Sequence, residues 1–386
     1  MKLRDEVETV LRAWHAHETG RGGDGIVDYD CHPDHEPVAA APDRLCVLAR
    51  LSALYQRAGE SGDAAVESRV RADLAFLRGL LGERAPLARY VEDTQGCGVA
   101  GWSDDYLDRR RAQAMDSLAA IGVAWTAELP DVMRELEGPL SPREAADAIT
   151  AAADQLEPPV RALTGTTAPY TLTVESVDVD AYWGFWLDGA GSVARLRLNL
   201  RHARFTALRA RQFALHEVLG HALQSASYAD RCAVEEVPWV RLLSVHAPQQ
   251  VLLEGLAQAL PLFVVPGDRA LTARVRLDHY LQLVRARLHL AINSGTTVDD
   301  CAAVARALVP FWTGGDIADA LADRGANPLL RSYLWADPAG IDWFVNLADA
   351  GDQATIAQIL RAAYREPLTP RQLAALWPAG PMIGGK

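Results

Sequence analysis

The sequence predicts a mainly α-helical fold of two helical lobes, with a small antiparallel β-sheet next to a central histidine-bearing helix. Three observations carry that expectation. Apolar residues recur at spacings of three and four over most of the chain. The period drops to two in a short stretch before the histidines. A proline- and glycine-containing passage, Glu157 to Pro169, breaks the helical pattern and marks a boundary. The lobes expected on this basis cover residues 1–165 and 166–386. With 386 residues, 49% of them hydrophobic, the chain can bury one large core or two smaller ones.

The elements follow in order. Residues 1–19, 43–59, 65–82, 103–129 and 142–163 carry helical spacing. Ser141-Pro142-Arg143-Glu144 is a helix start, with a capping serine, proline at the first position and glutamate at the third. Tyr170 to Val174 and Val193 to Leu200 alternate as strands do. Between them lie Tyr182, Trp183, Phe185 and Trp186, rings suited to a core or a substrate pocket. A long helix holds the histidines, and Pro248 opens another apolar helix over Gln249 to Phe263. The tail, Pro378 to Lys386, lacks periodicity and is expected to be disordered or tied down as an irregular strand.

Composition narrows the function classes. A net charge of −12 argues against nucleic acid or anionic membrane as a partner, since both demand basic surface. No apolar run approaches the ~18–20 residues of a membrane span. Five scattered cysteines form no C-x-x-C pair, and the first residues contain no apolar signal region. A cytoplasmic location is therefore expected.

The chemistry is concentrated in His216-Glu217-Val218-Leu219-Gly220-His221. Two imidazoles and a carboxylate in one helix are how many zinc hydrolases begin their active site. The spacing differs from H-E-x-x-H by one residue. At about 100° per residue, positions four apart share a helix face, whereas positions five apart diverge by about 140°. One extra residue wound in as a π-bulge restores the shared face, and Gly220 would tolerate the loosened backbone. Without a bulge, the two histidines would be hydrogen-bonded core residues.

Catalytic zinc takes three protein ligands and leaves a position for water. Glu254 is a lone carboxylate in Val251-Leu252-Leu253-Glu254-Gly255-Leu256-Ala257, and such a group is costly to bury unless paired or metal-bound. Gly255 and Ala257 would allow close packing on the histidine helix. Glu235 and Glu236 are rival ligands in a polar stretch, where solvent exposure is expected. One Zn2+ per chain on His216, His221 and Glu254 is the expected cofactor, with Glu217 as the general base.

These residues resemble the gluzincin metallopeptidases. His216-Glu217-x-x-Gly220-His221-Ala222-Leu223-Gln224, then Glu254-Gly255-x-Ala257, is similar to a large bacterial family with H-E-x-x-P-G-H-H-x-Q followed by E-G-W-A. The proline is missing here, and Ala222 stands for the second histidine of the pair. The spacing matches dipeptidyl peptidase III, and the G-H-A-L segment is shared with the carboxypeptidase Taq family. Farther on, Arg285-Ala286-Arg287-Leu288 to Gly295 is similar to the bacterial family's R-x-R-L-x-x-D-x-G-x-H, with Asn293 and Thr297 in place of its Asp and His. Pro328 to Ser332-Tyr333 is similar to P-G-Q-x-x-S-Y, with Ala336 for a following glycine. Glu366 to Pro370 is similar to the family's closing helix. The likeness covers residues 166–378.

The resemblance implies a deep cleft between helical lobes, a zinc metallopeptidase-like hydrolase and a short peptide or peptide-like substrate. It implies Tyr333 as a donor to the tetrahedral oxyanion and an edge strand before the metal helix that binds extended peptide through Asn199. Arg285 and Arg331 are candidates to clamp a substrate carboxylate. The departures from the family leave room for a zinc-dependent tailoring or cyclising enzyme on a peptide-like natural product, or for a non-catalytic binding protein. Oligomeric state is not legible. Of the remaining candidates, Cys31-His32-Pro33-Asp34-His35 has metal-ligand residue types without a zinc-site spacing. Its histidines are as well suited to close over the cleft. Cys97 is a nucleophile only if a base lies beside it.

Overall fold

The computed structural model describes residues 2–23, 25–180, 184–201 and 204–385. The first helices are α1 (Leu3–Gly20), α2 (Arg44–Ser61), α3 (Ala64–Leu80), α4 (Leu87–Gln95), α5 (Asp104–Ala119), α6 (Leu129–Leu136) and α7 (Pro142–Thr164). After the sheet come α8 (Ala207–Phe213), a π-helix (Ala214–Ala222) and α9 (Leu223–Val234), which run on as one uninterrupted rod. Then follow α10 (Gln250–Val264), α11 (Arg269–Asn293), α12 (Val298–Leu308), α13 (Gly314–Gly325), α14 (Pro328–Tyr333), α15 (Ala336–Ala350), α16 (Gln353–Ala363) and α17 (Pro370–Leu376). The fold is mainly helical, as the periodicity requires.

Local chemistry sets the helix ends. Asp43, Asp63 and Ser103 accept from backbone N–H groups in the first turns of α2, α3 and α5. Ser141 and Glu144 form the expected capping box on α7. Two ends differ from expectation. The single helix expected over 103–129 stops at Ala119, because Gly122 takes a positive φ of 79° before α6 begins. Conversely, α7 runs through Pro158 and Pro159 to Thr164. A proline inside a helix costs about 3 kcal/mol. Here Ala152, Ala153, Leu156 and Val160 are all buried in the main core, and that packing holds the helix together.

The sheet contains β1 (Tyr29–Asp30), β2 (Thr171–Val177), β3 (Phe185–Ala190), β4 (Val193–Asn199) and β5 (Leu242–Leu243), in the order β2-β4-β3-β1-β5. It is mixed, not antiparallel as expected. β3 and β4 form an antiparallel hairpin, but β2 lies on the far side of β4 and runs parallel to it from Thr171↔Val193 to Val177↔Asn199. The chain therefore passes the edge of β4 before folding back, which fixes the direction of β2. β1 is parallel to β3 and antiparallel to β5. Along β4, Ala194, Leu196 and Leu198 face the core while Arg195 and Arg197 face the other side.

The main core is centred on α10, an almost wholly buried helix that packs on both α15 and the π-helix. Contact with α15 is nearly backbone to backbone. A Cβ on Gly255 would lie 2.4 Å from Gly340 Cα, so no larger residue fits. The N-terminal helices α1–α3 form their own core around Leu11, Trp14, Leu51 and Leu77. Ile149 and Val160 of α7, however, share a core with Leu215 and Leu252. The expected division at residue 165 therefore does not separate two cores. The tail is tied down as an irregular strand, with Gly385 bridged to Gly101.

Candidate metal centre

The histidine motif lies in the π-helix, where each turn holds an extra residue. The extra residue per turn that the spacing requires is therefore present. It brings His216 Nε2 and His221 Nε2 to 3.1 Å. Gly220 assists in a way the sequence reading did not foresee. Its φ is an ordinary helical one, and its value is space: a Cβ there would lie 2.8 Å from Ala257 Cβ on α10. This close approach places Glu254, one turn earlier on α10, against both imidazoles. Its carboxylate oxygens lie 3.4 Å from His216 Nε2 and 3.8 Å from His221 Nε2.

These separations can be set against a metal's demands. Donors about 2.0–2.1 Å from a tetrahedral zinc lie about 3.3–3.4 Å from one another. The three observed distances straddle that value, so the donor set fits a small divalent ion. Glu217 is also close, with Oε1 3.6 Å from His216 Nε2. Donor atoms of His216, Glu217 and His221 likewise all lie within 4.8 Å of one another. Glu254 is in contact with both imidazoles, whereas Glu217 touches His216 alone.

The site is buried and rich in acid. Burial pushes the Glu217 carboxyl up to about 7. Burial pulls His221 down to about 4, against the attraction of Glu254. It also opposes the charged form of His216, but the bond to Glu254 and the charges of Glu217 and Glu254 outweigh it and lift that ring to about 9. Burial acts to raise Glu254, yet its histidine partners hold it below the ordinary carboxylate range. Asp337 is pushed up, by burial first and then by Glu254. Glu254 Oε1 also accepts from Gln250 Nε2 and from Tyr333 Oη, both at 2.9 Å. These two bonds fix the carboxylate's orientation.

The centre opens into a cavity of about 830 Å3, within the range of about 300–1,000 Å3 usual for small-molecule sites. Phe185, Trp186 and Leu187 of β3 form one wall with Phe205 and Phe213. Phe213 packs edge-to-face against both Phe185 and Phe205. Tyr182 and Trp183 lie outside the described residues. The wall contains an open strand edge. β1 pairs with β3 only at Gly189 and Ala190. Among the described residues no strand pairs with Phe185–Asp188 on the side away from β4.

Of the residues expected from sequence, the structure brings His216, Glu217, His221, Glu254, Arg285 and Tyr333 together around this cavity. Tyr333 donates to the carboxylate of Glu254. Two expected substrate contacts are elsewhere. Asn199 is fully buried and donates to the carbonyl of Val179, because β4 is an inner strand flanked by β2 and β3. The strand edge facing the site belongs to β3. Arg331 points away from the cavity and donates to Asn293 Oδ1 at 2.7 Å and to the carbonyl of Ala85.

Glu235 and Glu236 are solvent-exposed and paired with Arg231 and Lys2. Cys97 is buried, which pushes its thiol up to about 12 and removes it as a nucleophile. His35 lines a separate cavity of about 1030 Å3 on the arginine face of the sheet, where Asp188 pairs with Arg195 and Arg197.

Sequence reasoning missed Gln250, Gln258, Asp337 and Arg209. Gln250, Glu254 and Gln258 recur every four residues in an apolar helix, a polar stripe that was readable. Asp337, which accepts from Gln258 at 3.0 Å, has no such signal.

No described protein family matches this chain, and no curated protein does. Among solved structures it is similar to a candidate lipoprotein from Colwellia psychrerythraea, with a TM-score of 0.52 and 15% identity. The likeness covers 86% of this chain and 61% of that one, so this chain spans about three fifths of the other's length. At that identity the likeness carries the mainly helical fold alone. Among the described residues no helix is long and apolar enough to cross a membrane.

Proposed function

We propose that this chain is a gluzincin-type zinc hydrolase that cleaves a peptide or amide bond in a short peptide-like substrate. The observation that carries the reading is the π-helix, which sets two imidazole Nε2 atoms 3.1 Å apart with Glu254 against both. An α-helical turn would point the two rings to different sides. The carboxylates of Glu217 and Glu254 lie against the imidazole pair, where a divalent cation would offset their charge.

His216, His221 and Glu254 would hold one zinc ion. Bound there, zinc supplies a Lewis acid and lowers the pKa of a bound water from 15.7 toward about 7. Glu217 is placed to take a proton at its carboxylate and return it to a leaving nitrogen. Tyr333 orients Glu254 through its hydroxyl. Extended substrate backbone can pair with the open edge of β3 at Phe185–Asp188, filling the lane beside that strand which β1 leaves vacant. Such pairing selects unfolded, short peptide.

The test is metal content of untagged protein by elemental mass spectrometry, beside Glu254→Ala, followed by a peptide-library screen. About one zinc per chain, lost in the variant, together with cleavage of library peptides, is expected. A wild-type chain that takes up no zinc even on reconstitution would sink the reading. Stoichiometric zinc without turnover of any peptide would replace hydrolysis with a different zinc-assisted reaction.

A further inference from the structure

The far end of the metal cavity contains two arginines without acidic contacts. The chain carries a net charge of −12, and many of its arginines are paired with carboxylates. Arg209 and Arg285 differ. Both line the cavity, and neither has a carboxylate within 4.0 Å among the described residues. Arg209 lies open to the cavity and makes one long contact, 3.4 Å, to Gln212 Oε1. Arg285 is held over the Trp312 ring at 5.3 Å. That contact fixes the guanidinium and leaves its N–H groups free to bind.

Arg209 is exposed to the cavity and Arg285 half-buried; desolvation by the surrounding protein lowers both pKa values, and each still stays charged at neutral pH. Asp278 acts on both, and Asp337 on Arg285, at longer range without touching them. The same end contains an unmatched polar atom: Gln282 Oε1 is buried without a hydrogen-bond partner.

The placement relative to the metal centre follows from helix geometry. Arg209 lies two turns before His216 on the same rod, on the same face, about 10 Å along the axis. Extended peptide advances about 3.3 Å per residue, so that span is about three residues. On α11, Asp278, Gln282 and Arg285 recur at helical spacing and line the same wall.

We propose that Arg209 and Arg285 form a carboxylate-binding subsite, so that the substrate is a short peptide-like molecule bearing a carboxylate within about three residues of the cleaved bond. The position relative to a cleaved bond rests on the hydrolase reading; the anion site does not. A carboxylate fits better than a phosphate. Guanidinium forks accept either, but Asp278 and Asp337 line the same cavity and repel a dianion more than a monoanion. The carboxylate comes either from a free C-terminus or from an acidic side chain.

The experiment uses the full zinc-loaded chain and three probes: tetra-alanine with a free carboxylate, tetra-alanine amide, and the amide with one alanine replaced by glutamate. Binding is measured by calorimetry and cleavage by mass spectrometry. The free acid is expected to bind at least about tenfold more tightly than the plain amide. In Arg209→Gln/Arg285→Gln the preference should collapse to within about twofold, with zinc content unchanged as the check on folding. Arg285→Lys, which keeps the charge and loses the fork, should fall between. Recovery of binding by the glutamate-containing amide assigns the subsite to an acidic side chain; failure of that peptide alone assigns it to the C-terminus. Equal binding of all three probes, binding of none, or a preference that persists in the double variant overturns the proposal. Arginine-dependent binding without cleavage supports the subsite and removes the hydrolase reading; cleavage blind to charge does the reverse.

Discussion

Replacing Gly220 by alanine tests how the metal centre is assembled. The added methyl would lie 2.8 Å from Ala257 Cβ, 2.8 Å from the Leu215 carbonyl oxygen and 3.0 Å from Ala257 Cα. Carbon atoms in contact prefer about 3.5–4.0 Å, so α10 must retreat by roughly 1 Å. Overpacking of this kind costs about 1–3 kcal/mol. Alanine in place of glycine returns about 0.8–1.0 kcal/mol through helix propensity. The net loss of stability is therefore small, about 0–2 kcal/mol. The effect on zinc is expected to be larger. Glu254 is carried on α10, and a 1 Å retreat exceeds the roughly 0.2 Å tolerance of zinc–ligand distances. Zinc affinity should fall about 10–100-fold, as when an outer partner of a ligand is removed. A competition titration against a chromophoric chelator reads the affinity, and a thermal melt reads the stability. Unchanged affinity in a protein with unchanged melting temperature would refute the claim that Gly220 sets the distance between the histidines and Glu254.

Other expectations follow from the same geometry. Glu217→Gln should retain zinc while kcat on a cleaved peptide drops by about 10²–10⁴, the range for a lost general base; zinc loss would instead make Glu217 a ligand. Tyr333→Phe removes the hydroxyl bonded to Glu254 and should weaken zinc about 10–100-fold; unchanged zinc affinity with lowered kcat would assign the hydroxyl to the substrate instead. His289 is fully buried, and burial together with the charges of Arg324 and Arg331 holds its imidazole down to about 3. The unfolded chain takes up that proton near pH 6.5 and the folded chain does not, so stability falls as pH falls. The loss is about 2 kcal/mol between about pH 7 and about pH 5. Urea unfolding at the two pH values should show it, and His289→Leu should remove that part of the slope.

The cluster of His216, His221 and Glu254 was legible because its cost is legible. A lone glutamate inside Val251–Leu256 has to be satisfied, and five-residue histidine spacing has to be wound into register. The helix pattern was readable for the same reason: capping residues and apolar spacing are local properties. What was not readable depends on distant contacts. β4 resembled an edge strand because alternation reports one buried face and says nothing of lateral neighbours; β2 covers the edge that Asn199 was expected to offer. Arg331 lies next to the Ser332-Tyr333 pair that carries the resemblance, yet its partners Ala85 and Asn293 come from far along the chain. Asp337 carries no periodic signal because it reaches the cavity through the packing of α15 on α10.

The π-helix has a consequence for how this chain compares with others. A bulge absorbs one inserted residue within a turn and leaves the rod on either side in phase. Leu219's carbonyl meets the Tyr364 hydroxyl at 2.6 Å, and α9 continues with Gln224 and Tyr228 both anchored on the Ala363 carbonyl. Length along the chain and position in space are thereby uncoupled. Two proteins can share the same imidazole pair with different numbers of residues between them. Kinship judged by counting letters and kinship judged by superposing side chains would then sort this chain into different company.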